Sequence, residues 1–124
     1  MPAASSGLRL TARDLLKLGQ LVLRCGSWRG RRLVSEAWVR AATAAQAAPP
    51  DRLLYYGYQW WLGRSLLNGR EVAWVSAQGL GGQHLYIVPA LDLTMAITAG
   101  LYADPMQAWL PLVILNRFAL AAVL

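Results

Sequence analysis

Apolar residues recur along the first part of this chain with a helical period. In "TARDLLKLGQLVLR" (11–24) the leucines and Val22 repeat every three or four residues, Thr11 suits an N-cap, and Asp14 stands at the N3 position of a capping box. Ser35 suits the N-cap of a second helix over "SEAWVRAATAAQAA" (35–48), and the proline pair at 49–50 must end that helix. The pattern predicts two helices, the first ending near Gly26.

A strand-like pattern follows. "LLYYGYQWWLG" (53–63) is rich in aromatic residues around Gly57 and predicts a twisted strand. "SLLNGREVAWVSA" (65–77) contains the hairpin signal Asn68-Gly69, and "QHLYIVPA" (83–90) and "LDLTMAITAG" (91–100) flank a short turn at 89–92. We therefore predict an antiparallel meander of three to four strands.

The last segment begins with Asp104 as a cap and Pro105 at the first helical position, and it is apolar to its end. Pro111, Asn116 and Arg117 interrupt it, and it falls short of the roughly 20 residues that a membrane span needs. We predict a helix packed on the sheet and no membrane span. The fold class is α+β: two helices, an antiparallel sheet and a C-terminal helix in a single domain, 1–124.

Composition narrows the possible partners. Apolar residues make up 56% of the 124 residues and charged residues 15%, against a usual charged share of about a quarter, so a large part of the surface is expected to be covered. The net charge is +6, with the densest cluster at "WRGRR" (28–32). Because basic and aromatic residues do not alternate elsewhere, no nucleic-acid partner is expected. With one cysteine, Cys25, and one histidine, His84, no disulfide, metal or other cofactor is predicted.

Three stretches in this order carry a resemblance: "GLRLTARDLLKLGQLVL" (7–23), "YGYQWW" (56–61) and "GLGGQHLYIVPALDLTMAITAG" (79–100). From about Gly7 onward the chain resembles the C-terminal part of the serine β-lactamase and penicillin-binding-protein superfamily. It is most similar to the class C β-lactamase-like hydrolases, a group that includes esterases and aminohexanoate-dimer hydrolases. The resemblance implies part of a β-lactamase/transpeptidase-like fold, and that 1–124 is the C-terminal portion of a longer hydrolase in the periplasm or the cytoplasm.

The resemblance also implies a site. "GLGGQ" stands near the family's third motif, Lys-Thr-Gly or His-Thr-Gly, which makes Gly79, Leu80 and Gly81 its counterparts, with an N–H of Gly82 or Gln83 directed at the substrate carbonyl. No Lys or His precedes these glycines, which favours an esterase- or amidase-like relative over a penicillin-recognising lactamase. Read without the family, the glycines indicate a bulge or close packing, and Gln83 either orients substrate or satisfies a neighbouring backbone.

The family's nucleophile motif, Ser-x-x-Lys, is missing from the sequence, because the residue three positions before the one lysine, Lys17, is Asp14. The family's Tyr-x-Asn motif is missing as well, because no tyrosine is followed two positions later by asparagine. The resemblance therefore implies a serine hydrolase of esters, amides or β-lactams whose catalytic residues lie upstream, with this chain contributing the substrate-binding strand. The alternatives are a noncatalytic interaction module of the same fold, or a membrane-surface or nucleic-acid binder that relies on positive charge.

Four further side chains have two readings each. His84 is either a packing residue or a general base, and Tyr58, Trp60 and Trp61 either line an acyl pocket or fill the core. If Gly82 lies on a strand at negative φ, replacing it with valine should leave the fold stable.

Since the upstream segment would cover one face and one edge of the sheet, the chain is expected to form a homo-oligomer.

Overall fold

The computed structural model describes residues 7–50 and 53–124 as one mixed α and β fold. Helix α1 (Ala12–Leu23) is followed by a small hairpin of β1 (Ser27–Trp28) and β2 (Arg31–Arg32), and then by helix α2 (Glu36–Ala42). The main sheet contains β3 (Tyr55–Tyr56), β4 (Trp61–Leu67), β5 (Arg70–Gly79), β6 (Gln83–Val88) and β7 (Leu93–Ile97). These five strands are antiparallel and adjacent in chain order, which confirms the predicted meander.

The sheet has one strand more than the three to four predicted, because a turn divides the aromatic stretch at 53–63. The Gly57 N–H donates to the Trp60 carbonyl (2.8 Å), and Gln59 between them has φ +62°. Gly57 also lies so close to α2 that a Cβ there would be 2.2 Å from the Ala42 carbonyl oxygen. The prediction of Gly57 inside a strand is therefore wrong: a close approach of two backbones requires this glycine.

Helix α2 is shorter than predicted. It ends at Ala42, whose carbonyl accepts the Tyr58 N–H (3.0 Å), and Ala47 forms a β-bridge with Tyr56. The alanines of 44–48 lack the apolar spacing to extend a buried face, so pairing with the sheet replaces further helical turns. The other predicted boundaries agree with the structure: Thr11 caps α1 through the Asp14 N–H, and Asn68 and Gly69 both have positive φ in the β4–β5 turn.

The C-terminal segment is divided where a single helix was predicted. Asp104 caps only a short 3₁₀ helix, Pro105–Ala108, through the Met106 N–H. The C-terminal helix then runs through α3 (Leu110–Ile114), a π-helical stretch (Leu115–Leu120) and α4 (Ala121–Val123). None of the helices in the described ranges combines the length and apolar character required to cross a bilayer.

The two faces of the sheet are covered by different helices. Side chains alternate along β6, so Tyr86 and Val88 face the C-terminal helix and form a core cluster with Leu115 and Leu120. On the opposite face Leu85 meets α1, where a Cβ at Gly19 would lie 3.0 Å from its methyl group. The expected helix on the sheet is thus confirmed.

A buried polar chain fixes the C-terminal helix to the sheet. The Trp74 indole N–H donates to Ser65 Oγ (3.0 Å), and the Ser65 hydroxyl donates to Asn116 Oδ1 (2.6 Å). The three residues come from β5, β4 and the π-helical stretch. Because the indole and the hydroxyl are buried, each of these bonds replaces one with water and fixes the position of the helix along the sheet.

Candidate functional site

The five residues predicted to bind substrate lie together at one end of the β5–β6 hairpin. Gly79 and Gln83 are paired across the two strands, and Leu80, Gly81 and Gly82 form the loop between them, called here the glycine loop (79–82). Gly81 and Gly82 have φ of +88° and +87°, a conformation that favours glycine. The two glycines are therefore part of a turn and not of an open strand, and the expectation that Gly82→Val would spare the fold is wrong. Their substrate-binding role stays a prediction.

The segment 99–107 packs against the glycine loop. A Cβ at Gly81 would lie 2.7 Å from the ring of Tyr102, and one at Gly82 would lie 3.3 Å from the Ala99 methyl group. Both glycines are buried by this contact. Close packing, which the sequence left open as an alternative, is thus a structural reason for both glycines.

Both backbone polar groups of Gly81 bind the 99–107 segment. Its N–H donates to Gln107 Oε1 (2.8 Å), and its carbonyl accepts the Leu101 N–H (2.9 Å). The Gly81 N–H is consequently occupied and is not free to bind an oxyanion. Gln107 could not be found from the sequence pattern, because its partner is a backbone N–H 26 residues away.

The Gln83 amide is also occupied. Its Nε2 donates to the Ala99 carbonyl, and its Oε1 accepts the Ala99 N–H (3.3 Å). Of the two readings that the sequence allowed, the structure shows the one in which Gln83 satisfies a neighbouring backbone.

The Gly82 N–H differs from that of Gly81. It has no hydrogen-bond acceptor among residues 7–50 and 53–124. A backbone N–H of this kind, fixed in a tight turn, has the chemistry of an oxyanion donor. The N–H of the exposed Leu80 likewise has no acceptor among these residues; of the two, Gly82 is the one to which the sequence assigned the contact with a substrate carbonyl, and that role stays a prediction.

His84 and Tyr86 extend from the loop into the core. Their rings stack with centroids 5.4 Å apart, and His84 is only 5% exposed. Burial lowers the pKa of His84, opposed by a hydrogen bond to the Gly82 carbonyl, and burial raises the pKa of Tyr86 to about 12. Buried Nδ1 of His84 has no partner in the described part of the chain. This environment favours the interpretation of His84 as a packing residue over its interpretation as a general base.

The other candidate groups lie apart from the loop. Tyr58 contacts Trp38 (5.4 Å between centroids) and Trp61 contacts Tyr56 (4.7 Å). Ser76 on β5, which the sequence analysis did not single out, is fully buried and is therefore not an accessible nucleophile. Within the described residues no group of three His, Cys, Asp or Glu side chains could hold a metal ion.

A cleft of about 460 Å³ opens on the α1 side of the sheet over β4 and β5. It contains none of the glycine-loop residues, and its one cation, Arg64, forms a surface ion pair with Glu71 (3.0 Å). The lining residues are Thr43, Ala45, Leu53, Tyr55, Leu62, Gly63, Arg64, Ala73, Trp74, Val75 and Pro89. The residues predicted to bind substrate lie at the Gly79 end of β5, outside this cleft. We therefore take the glycine loop, and not the cleft, as the candidate site.

Comparison with known proteins relates the sequence of this chain to a hydrolase. No family model matches the chain. The chain is, however, a distant partial homologue of a hydrolase from the serine β-lactamase-like superfamily. That relative is the 6-aminohexanoate-dimer hydrolase of Paenarthrobacter ureafaciens, which is 32% identical in an alignment of 111 residues that covers 82% of this chain. The chain spans 27% of the relative's length.

Proposed function

We propose that this chain is the C-terminal portion of a serine hydrolase that cleaves esters, amides or β-lactams through an acyl-enzyme. The similarity to a hydrolase of which the chain spans 27% carries the proposal. The whole protein acts on a small molecule, and the chain supplies part of its substrate-binding wall. The nucleophile comes from a preceding segment, since the sequence contains no serine three residues before a lysine.

The chemistry assigned to the glycine loop is electrostatic. When a serine attacks the substrate carbonyl, negative charge develops on the carbonyl oxygen, and a fixed N–H close to that oxygen stabilises the transition state. Gly82 supplies this N–H, and the contacts of Gly81 and Gln83 with the 99–107 segment hold the turn in place. Removing one such donor costs roughly 100-fold or more in turnover.

A noncatalytic interaction module of the same fold is the second candidate. One observation favours it: the Gly81 N–H and both ends of the Gln83 amide bind the chain's own residues. In such a module the glycines serve packing alone.

Hydrolysis assays separate the two candidates. The 124-residue chain, and the same chain preceded by the segment encoded upstream of it, are each incubated with nitrophenyl butyrate and nitrocefin. Turnover by the extended protein alone supports the hydrolase. A folded extended protein that turns over neither of these substrates, nor the corresponding nitroanilide amide, supports the noncatalytic module.

A further inference from the structure

The candidate site lies in a part of the chain without cations. Although the net charge is +6, the sequence has no Lys or Arg between Arg70 and Arg117. The glycine loop and the 99–107 segment both fall inside this stretch. A substrate carboxylate is usually bound by an Arg or Lys side chain, and these two elements provide neither.

The side chains that these elements expose are apolar. Leu80 at the tip of the loop is 72% exposed and Tyr102 is 63% exposed, with Met106 and Trp109 also exposed nearby in the chain. The one carboxylate of the segment, Asp104, accepts the Met106 N–H (2.8 Å). Exposed apolar side chains beside a candidate site favour an apolar ligand there.

Tyr102 is the best-positioned of these side chains. Its ring carbons lie where a Cβ of Gly81 would be, at 2.7 Å, so only a glycine allows this contact. The neighbouring Leu101 N–H donates to the Gly81 carbonyl (2.9 Å), and the Tyr102 carbonyl accepts from Gln107 Nε2 (3.4 Å). Tyr102 is thereby held one residue away from the free N–H of Gly82.

We propose that Tyr102 is a specificity-determining residue that packs against an uncharged, apolar acyl group, so that the site selects neutral esters or amides over substrates with a carboxylate on the acyl chain. This inference rests on the proposed function and adds its substrate class. The acyl chain lies along the exposed part of the Tyr102 ring while its carbonyl oxygen accepts the Gly82 N–H.

The test uses the extended protein and two nitrophenyl esters of six-carbon acids, the hexanoate and the mono-adipate, which carries a terminal carboxylate. We expect kcat/KM at least about 10-fold higher for the hexanoate, the scale of one lost hydrophobic contact. Tyr102→Ala should raise KM for the hexanoate about 10-fold and leave kcat nearly unchanged. Tyr102→Phe should keep the wild-type KM, and Phe118→Ala, at another exposed aromatic residue, should change neither constant.

The outcomes distinguish the two proposals. If the wild-type extended protein is folded yet neither turns over an ester nor reacts with a fluorophosphonate, the proposed function fails, and this inference with it. If it is active but treats both esters alike, or if Tyr102→Ala leaves KM unchanged, the role of Tyr102 alone is wrong. Should Tyr102→Ala not fold, Tyr102→Arg decides, since a cation there must lower KM for the mono-adipate; an unchanged KM overturns the inference.

Discussion

The Gln83 side chain binds both backbone groups of Ala99, 16 residues further along the chain, and so joins the start of β6 to the segment that follows β7. The glycine loop therefore keeps its geometry through contacts outside its own hairpin.

Gln83→Ala removes both bonds and leaves the Ala99 N–H and carbonyl without these partners. We expect the free energy of unfolding to fall by about 1–3 kcal/mol, the usual cost of unsatisfied groups that are not fully exposed. Urea unfolding of the 124-residue chain measures it. Gln78→Ala, an exposed glutamine on β5, is the control and should change the free energy by less than about 0.5 kcal/mol. Equal effects of the two variants would contradict the account.

Gly81→Ala and Gly30→Ala form a matched pair, since both glycines have positive φ (+88° and +79°). A Cβ at Gly30 meets nothing within 4 Å, whereas one at Gly81 meets the Tyr102 ring at 2.7 Å. Both variants carry backbone strain of about 1 kcal/mol, and Gly81→Ala should lose a further 1–3 kcal/mol or so from overpacking. Thermal unfolding compares the two; identical losses would mean that Tyr102 moves away freely.

A third prediction concerns the buried hydrogen bonds that join Trp74, Ser65 and Asn116. Ser65→Ala leaves the indole N–H and the Asn116 amide oxygen without this partner, and should cost about 1–3 kcal/mol of unfolding free energy. Asn116→Leu combined with Ser65→Ala should cost less than the sum of the two single changes, because the second removes a group already unsatisfied. A double-mutant cycle by urea unfolding measures this coupling, and strict additivity would contradict it.

Stability should depend on pH at both ends of the range. Burial lowers the pKa of His84 below 6.5, so the unfolded chain takes up its proton first, and stability is lost as pH falls from 6.5 toward the folded value. Burial raises the pKa of Tyr86 from 10.0 to about 12, so stability is lost as pH rises between those values. Urea titrations at a series of pH values should show both losses of unfolding free energy. His84→Gln should remove the loss near pH 6. If the unfolding free energy of His84→Gln depends on pH there as strongly as that of the wild type, the assignment to His84 is contradicted.

The expected homo-oligomer can be tested on the sheet face that α1 leaves open. Leu66 on β4 is 77% exposed, and β7 has one strand neighbour in the described sheet. Open edges and exposed apolar side chains favour association, so light scattering at tens of micromolar should report a dimer or larger species. Leu66→Glu should shift it toward the monomer more than Leu33→Glu, an exposed leucine next to β2. A wild-type monomer would contradict the expectation.

Local signals in the sequence predicted most of the fold. The Thr11 cap, the Asn68-Gly69 turn and the short turn at 89–92 act within a few residues, and each element formed where predicted. The Gly57 turn, the end of α2 at Ala42 and the loop conformation of Gly81 and Gly82 depend on contacts with residues distant in the chain. Periodicity cannot show such contacts. For the same reason the sequence located the glycine loop but not Gln107 or Tyr102, which hold and cover it.

The most direct test of the central claim is to find which serine reacts as the nucleophile. The extended protein is treated with a fluorophosphonate, digested, and analysed by mass spectrometry, with the 124-residue chain treated in parallel. We predict a single labelled serine in the segment preceding these 124 residues and no labelling of the chain by itself. Stoichiometric labelling of a serine within residues 1–124 would contradict the claim that this chain supplies the substrate-binding wall and not the nucleophile.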